Sequence, residues 1–467
     1  MQAQWPEDLK RFGGHLKTNL GGVFSPRREI YIARAPARLD VMAGLSDYAG
    51  ATVLSTPLRE ATVVAVQKRR DRRVVIRNLN MNKERVLNCE YRLDDLYEDG
   101  HLKPYPLLQR QFAQDANNRW QGHVVGAIAV LQHEGFVQQW QTGLSIAISS
   151  TIPQASSAAS SAALQVANML AIKGALALDL DGFQIALACQ ILENRIMGMP
   201  CGITTHVAVA LGQSNRTMVL RCQPHELVKM MSLPPGVQWV GIYSGLMSPQ
   251  RESRYRDLRI ASFMGRKMIL HHSGASAEVM PMGYLCNTDP AQWEQRLRRQ
   301  VLTKITGQEF IKRFATHDDP ATAINLEKRY QPRAAIEHHL SDHSRSERCA
   351  ELLDATLQAS QQSLLEAGRL MYESHQSYQE RCGLGSKETD LLVDLIKAQG
   401  PEKGLYGAKT TAWGCGGTVA VLAAKGSEDV LQNLVSRYRH LTHLEPYLFF
   451  GSSCGAMEMG VIQTAFD

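Results

Sequence analysis

The sequence predicts an α+β fold, on three observations. Short β-branched runs crowd the first 80 residues, apolar stripes of helical period begin near residue 160, and strand-like runs return close to the C-terminus. The two kinds of element mix without a regular strand–helix–strand alternation, which argues against a doubly wound parallel sheet. A length of 467 residues favours two or three domains and is ample for a large core.

Taken in order, residues 29–34 alternate as a strand does and are expected to turn at Ala35-Pro36-Ala37, because Pro36 has no amide donor. Strands follow at 62–66 and 74–77. The basic stretch Lys68 to Arg73 between them reads as a solvated turn. Residues 143–148 form a further strand that Ile152-Pro153 breaks. Ala162, Val166, Met169 and Leu170 then share one helical face. A second helix opens on a capping box of Asp181 and Gln184 and carries the stripe Ile185, Cys189, Leu192, Ile196, with Glu193 beside it. Strands at 217–220 and 239–243 bracket Pro234-Pro235-Gly236, the expected boundary between an N-terminal domain of residues 1–230 and a C-terminal one of 231–467. Residues 290–400 read as mostly helical, including 350–372, and strands return at 416–421 and 446–450.

Composition excludes several classes. A net charge of +6 with no Lys/Arg cluster interleaved with aromatics argues against a nucleic-acid partner. Nine scattered cysteines without a CxxC pair fit reduced thiols. Neither a secretory leader nor an apolar run of membrane-spanning length is visible, so a cytoplasmic protein without a membrane partner is expected.

Three segments carry chemistry. Arg38 to Gly50 sets Asp40 and Asp47 near a Gly-rich turn, where carboxylates suit sugar hydroxyls and Arg38 suits a phosphate; a turn-forming or capping Asp47 is the plain alternative. Ser149 to Ala163 leads a strand through small residues into a helix, whose free first-turn amides favour an anion; a well-capped helix is the plain alternative. Tyr406 to Thr418 is a glycine turn between strands, either a tight hairpin or a close approach to another group.

In this order and spacing the three segments resemble the sequence motifs of GHMP kinases. Neighbouring runs are most similar to the L-arabinokinases, among the galactokinase-like members: Arg38-Leu39-Asp40-Val41-Met42, Glu193-Asn194-Arg195, Gly198 to Gly202, Arg259 to Met268, Cys382 to Ser386 and Gly451 to Ala456. The likeness spans roughly residues 28 to 460, and the glycosyltransferase-like half of plant arabinokinases is not expected here. The resemblance implies an N-terminal domain like ribosomal protein S5 domain 2 and a ferredoxin-like C-terminal domain, with ATP and sugar between them. It implies substrate contacts from Asp40, Asp47 and Tyr48, a phosphate loop of Ala155, Ser156, Ser157, Ser160, Ser161 and Gly414, and Mg²⁺ held by Ser160 and Glu193. Arg38 would stand at the reacting centre.

The nucleotide side departs from that pattern. The family's Pro-x-Gly-x-Gly reads Pro153-Gln154-Ala155-Ser156-Ser157, so a loop needing positive φ would be strained or blocked. Thr205 stands where the catalytic Asp is expected, leaving His206 as a substitute proton acceptor or an ordinary structural histidine. Trp413 enters the third glycine turn, where it is expected to fill space, and Ala37 replaces a further glycine. Two readings stay open: a sugar kinase using Mg²⁺ and ATP, or a degenerate-site relative that binds a sugar or sugar phosphate without kinase activity, as a regulator or as an enzyme of another class.

Overall fold

The computed structural model describes residues 5–19, 23–79, 88–115, 119–274, 279–357 and 360–465. The first sheet has eight strands: β1 (Ile30–Met42), β2 (Thr52–Lys68), β3 (Arg73–Asn78), β4 (Asn88–Arg92), β5 (Leu144–Ser150), β6 (Thr217–Arg221), β7 (Glu226–Met231) and the C-terminal strand Val461–Thr464. The C-terminal strand pairs with β1, β1 with β2, and β2 with both β5 and β6; β3 joins β5 in the parallel sense, and the other pairings are antiparallel. The second sheet holds β8 (Val237–Met247), β9 (Leu405–Thr410), β10 (Gly416–Ala424) and β11 (Tyr447–Phe449), all antiparallel.

The expected turn at Ala35-Pro36-Ala37 is not there. The strand runs on to Met42, and a register shift between Pro36 and Arg38 takes up the missing donor. A bulge is one of the few strand positions that Pro tolerates. Asp40 and Arg38 thereby sit on a sheet strand rather than a loop.

Helices α1 (Gly122–His133) and α2 (Ser160–Leu176) cover the first sheet through a core that includes Val64, Ile146, Val166 and Leu170. The capping box of α3 (Gly182–Ile191) forms as expected: Asp181 accepts from the Gln184 amide at 2.8 Å and Gln184 returns the bond. Helix α4 (Thr204–Leu211) packs beside it. In the C-terminal half, α5 (Arg251–His272) packs on α6 (Pro332–Leu352), and α7 (Gln361–Glu380) packs on β9. The mostly helical stretch expected over 350–372 is divided between α6, which ends at Leu352, and α7, where Ser360 caps a fresh start.

The chain passes from the first sheet to the second across residues 232–236, but its last strand returns to β1. A single cut at 230 therefore does not separate the two sheets. The apolar cluster joining Leu45, Val53, Tyr255, Met264, Tyr378 and Cys415 also draws on both halves.

Candidate active site

Strand β1 delivers two buried side chains, and only one reaches the cavity between the halves. Arg38 donates from Nη2 to the Thr205 hydroxyl at 2.7 Å, and its own amide bonds to the Ala158 carbonyl. Its Nε has no partner, and Arg38 forms no ion pair among the described residues. Asp40 is turned into structure instead. Its two oxygens accept from the Gly44 amide at 3.1 Å and the Ala412 amide at 2.8 Å, tying the first segment to the third.

After β1 the chain turns at Ala43 into a short 3₁₀ helix, Gly44–Ala49, which carries Asp47 and Tyr48. Asp47 lines the cavity and packs against Gly202, where a Cβ would come within 1.9 Å of its Oδ2. Burial is the main influence on its carboxyl and raises it to about 6, against the opposing effects of Arg259, the Tyr48 amide and Arg38. Tyr48 does not line the cavity. It lies under the Arg259 guanidinium, 4.9 Å from its ring centre, and its hydroxyl meets His339 at 3.2 Å.

The loop before α2 keeps its left-handed turns without glycine. Ala155, Ser157 and Ala159 have φ of 55°, 65° and 68°. Losing the glycines has strained this loop without blocking its path. No side chain caps α2, and Ser160, Ser161 and Ala162 of its first turn line the cavity. Ser156 is buried away from the cavity, its carbonyl accepting from the Thr418 hydroxyl at 2.6 Å. Gly414 also lies outside it and packs against Leu384, whose carbonyl a Cβ there would meet at 2.3 Å.

Glu193 reaches the cavity from a π-helical turn, Leu192–Ile196, that continues α3. Burial lifts its carboxyl to about 7, while the Gln165 amide, which donates to its Oε2, pulls the other way. The same Gln165 accepts from His206 Nε2 at 3.0 Å, which leaves His206 Nδ1 without a partner. Burial, aided by Arg38, holds His206 down to about 3. His206 is therefore neutral at physiological pH and a poor proton acceptor, which argues against the substitute-base role. Thr205 sits at the cavity as expected, but as an acceptor for Arg38.

Three residues that the sequence reading did not use as ligands close the cavity from the C-terminal half. Arg251, at the start of α5, donates to the Ala155 carbonyl at 3.2 Å and the Ser157 hydroxyl at 3.0 Å. Its guanidinium stands 5.6 Å from the centre of the Trp413 ring, which stacks on Tyr255 at 4.8 Å. The cavity volume is about 110 Å³. Gln165 carried a readable signal, a polar residue among the apolar neighbours of α2. Arg251 carried none, since its role depends on a contact with a loop almost a hundred residues away.

A Mg²⁺ ion fits the donors present. Ser160 and Glu193 both face the cavity, and Mg²⁺ needs only one or two protein oxygens beside phosphate and water. Among the described residues no group of three or more His, Cys, Asp or Glu could hold a metal alone. The loop and the third segment touch directly, Ser157 Oγ lying 2.4 Å from where a Cβ on Gly417 would be, and Arg251 and Trp413 line the cavity beside them. No helix among the described residues is long and apolar enough to cross a membrane.

Comparison with known proteins agrees with this arrangement. Residues 122–213 match the model of the GHMP kinases N terminal domain. The chain is 33% identical to L-arabinokinase of Arabidopsis thaliana over 95% of its own length, and it spans 47% of that protein, about half. It is 24% identical to the galactokinase of Chloroflexus aggregans over 87% of each chain. Among solved structures, the Lactococcus lactis galactokinase complexed with galactose has a TM-score of 0.72 at 18% identity, covering 97% of this chain and 99% of its own. The Methanococcus jannaschii mevalonate kinase follows at 0.57 and 13%, covering 91% and 98%. The likeness to these structures extends to both halves of the fold. With its central segment matching that domain and its relatives being sugar kinases, the chain belongs to the GHMP kinase family.

Proposed function

We propose that this protein binds a monosaccharide through Asp47 and, in the cavity beside Arg38, transfers the γ-phosphoryl group of ATP to one of its hydroxyls, releasing ADP and the hydroxyl proton. The observation that carries this reading is the meeting of Arg38, Asp47, Glu193 and the first turn of α2 around one cavity. An ionised Asp47 accepts a sugar hydroxyl and orients it. Arg38 and the α2 amides hold a phosphoryl group, and Arg38 is itself held in place by Thr205. Mg²⁺ bound at Ser160 and Glu193 would neutralise phosphate charge. With Thr205 unable to take a proton and His206 held neutral, Asp47 is the carboxylate beside Arg38 best placed to receive the hydroxyl proton. Positioning and charge supply most of the catalysis in this reaction class, so a missing dedicated base slows it without abolishing it.

A second reading, sugar or sugar-phosphate binding without transfer from ATP, draws on the Arg251–Trp413–Tyr255 stack over the nucleotide side. One experiment separates the two. The chain is titrated with a panel of aldoses, alone and with Mg-ATP, and the sugars are examined by mass spectrometry for added phosphate. Phosphorylated sugar that disappears in Asp47→Ala supports the first reading. Aldose binding with no product at any Mg-ATP concentration leaves the second, and no aldose binding at all overturns both.

A further inference from the structure

We propose that Arg259, locked by Asp319, is a positioning residue: from the C-terminal half of the molecule it fixes where Asp47 stands in the cavity. The proposal rests on the reading that Asp47 faces the ligand, and it names what aims that carboxylate.

The run Arg259 to Met268 lines no part of the cavity, yet its first residue reaches across to the N-terminal half. Arg259 is buried on α5, and all three nitrogens of its guanidinium are engaged. Nε and Nη2 donate to the two oxygens of Asp319 at 2.8 and 2.9 Å, and Nη1 donates to the Pro200 carbonyl at 3.0 Å. The Tyr255 hydroxyl, one turn earlier on α5, donates to the same carbonyl at 3.0 Å. Pro200 stands two residues before Gly202, the glycine against which Asp47 packs. The guanidinium also lies over the ring of Tyr48, the neighbour of Asp47 in the chain.

Further contacts hold the 3₁₀ helix Gly44–Ala49 from the same side. Phe263 stacks on Tyr48 with ring centres 6.1 Å apart. The hydroxyls of Ser262 and Tyr48 meet His339 Nε2 of α6 at 2.7 and 3.2 Å, and Ser46 meets its Nδ1 at 2.8 Å. Asp47 is therefore flanked in sequence by two residues, Ser46 and Tyr48, that the C-terminal half holds. Asp319 is itself fixed, since its oxygens accept from the Thr322 hydroxyl at 2.7 Å and the Ala321 amide at 3.2 Å. A buried ion pair is weak evidence for stability, because desolvation offsets the attraction. What a two-pronged Arg–carboxylate pair supplies is orientation, and Arg alone can add the ring contact and the third bond.

The charged and titratable groups facing Asp47 are Arg38 and Asp40 on β1, Tyr48 beside it, Cys201, Cys222, and Tyr255 and Arg259 on α5. Glu193 and His206 share its cavity. Burial is what raises the Asp47 carboxyl to about 6, and Arg259 is foremost among the groups that oppose the rise.

The test needs no ligand. The whole chain is labelled with ¹³C at its aspartate carboxyls, and the Asp47 signal, identified by its absence in Asp47→Asn, is titrated by NMR. Arg259→Gln should raise its midpoint by about 1 pH unit, and Arg259→Lys, which keeps the charge without the two-pronged bond, should bring it part of the way back. Asp319→Asn should displace the midpoint as well, since Arg259 loses its fixed aim. Asp354→Asn, which breaks another buried carboxylate's pair with Lys229 outside the cavity, should leave it where it was. Aldose affinity of Arg259→Gln, by calorimetry, should fall about tenfold or more below about pH 6 and less at about pH 8, where only the misplacement of an ionised Asp47 remains. Should Arg259→Gln fail to fold, the double variant Arg259→Gln, Asp319→Asn leaves no lone buried charge and takes its place. A midpoint that moves in neither Arg259→Gln nor Asp319→Asn, or that moves equally in Asp354→Asn, would overturn the proposal. A midpoint that moves while no aldose binds at any pH would sink the sugar reading and leave this one standing, whereas aldose binding with an unmoved midpoint would do the reverse.

Discussion

Asp47 and Thr205 show how single side chains carry this site. Burial favours the protonated form of Asp47, whose folded value of about 6 lies above the ordinary 3.8. Its contribution therefore favours the fold below about pH 3.8 and is lost as pH rises through about 6. Asp47→Asn should remove that loss, gaining on the order of 3 kcal/mol over the unaltered chain between pH 4 and 7, read from urea midpoints. An unchanged pH dependence would contradict the buried carboxyl. At position 205 the Arg38 bond decides the outcome. Thr205→Asp places a carboxylate against Arg38, and it should not restore full transfer activity, because the non-glycine turns at Ala155 and Ser157 and the Trp413 side chain are untouched. Full activity in Thr205→Asp, by a coupled phosphate assay, would show that the base alone was limiting.

Elements set where those side chains stand. The loop before α2 runs through left-handed turns at Ala155, Ser157 and Ala159, each unfavourable by about 1–2 kcal/mol for a residue with a Cβ. Ala159 precedes α2 without capping it, so Ala159→Gly should stabilise the fold by about 1 kcal/mol in denaturant unfolding. A loss of stability there would mean that the turn is not as described. Asp40 is the counterpart in the first sheet, with both oxygens committed to backbone amides. Asp40→Ala should destabilise by about 2–5 kcal/mol, since two buried amides lose their acceptor, and it should do so with or without sugar present. A variant of normal stability that fails only in sugar binding would return Asp40 to the substrate contacts that the family resemblance implied.

At the scale of the whole molecule, the cavity exists only because the two halves meet. Arg38, Asp47, Glu193 and α2 come from the first, and Arg251, Tyr255, Ala412 and Trp413 from the second. Ligand in the cavity should therefore raise the melting temperature of the chain as a unit, with about 1.4 kcal/mol of stabilisation at tenfold excess over Kd. Two separate transitions, only one of which responds, would count against a site shared between the halves.

The sequence by itself determined the α+β class, the capping box at Asp181 and Gln184, and the family, because these rest on local periodicity and on motifs contiguous in the chain. It also located Arg38, Asp47, Ser160, Glu193 and Thr205, all of which line one cavity. Tertiary structure decided the rest. It carried β1 through Pro36 on a bulge, turned Asp40 and Ser156 into internal ties, and set Tyr48 against Arg259. It also brought Arg251 onto a loop that precedes it by almost a hundred residues. The physical reason is the same in each case. A side chain's partner is fixed by packing between distant segments, and nothing in its own neighbourhood of sequence records which segment will arrive there.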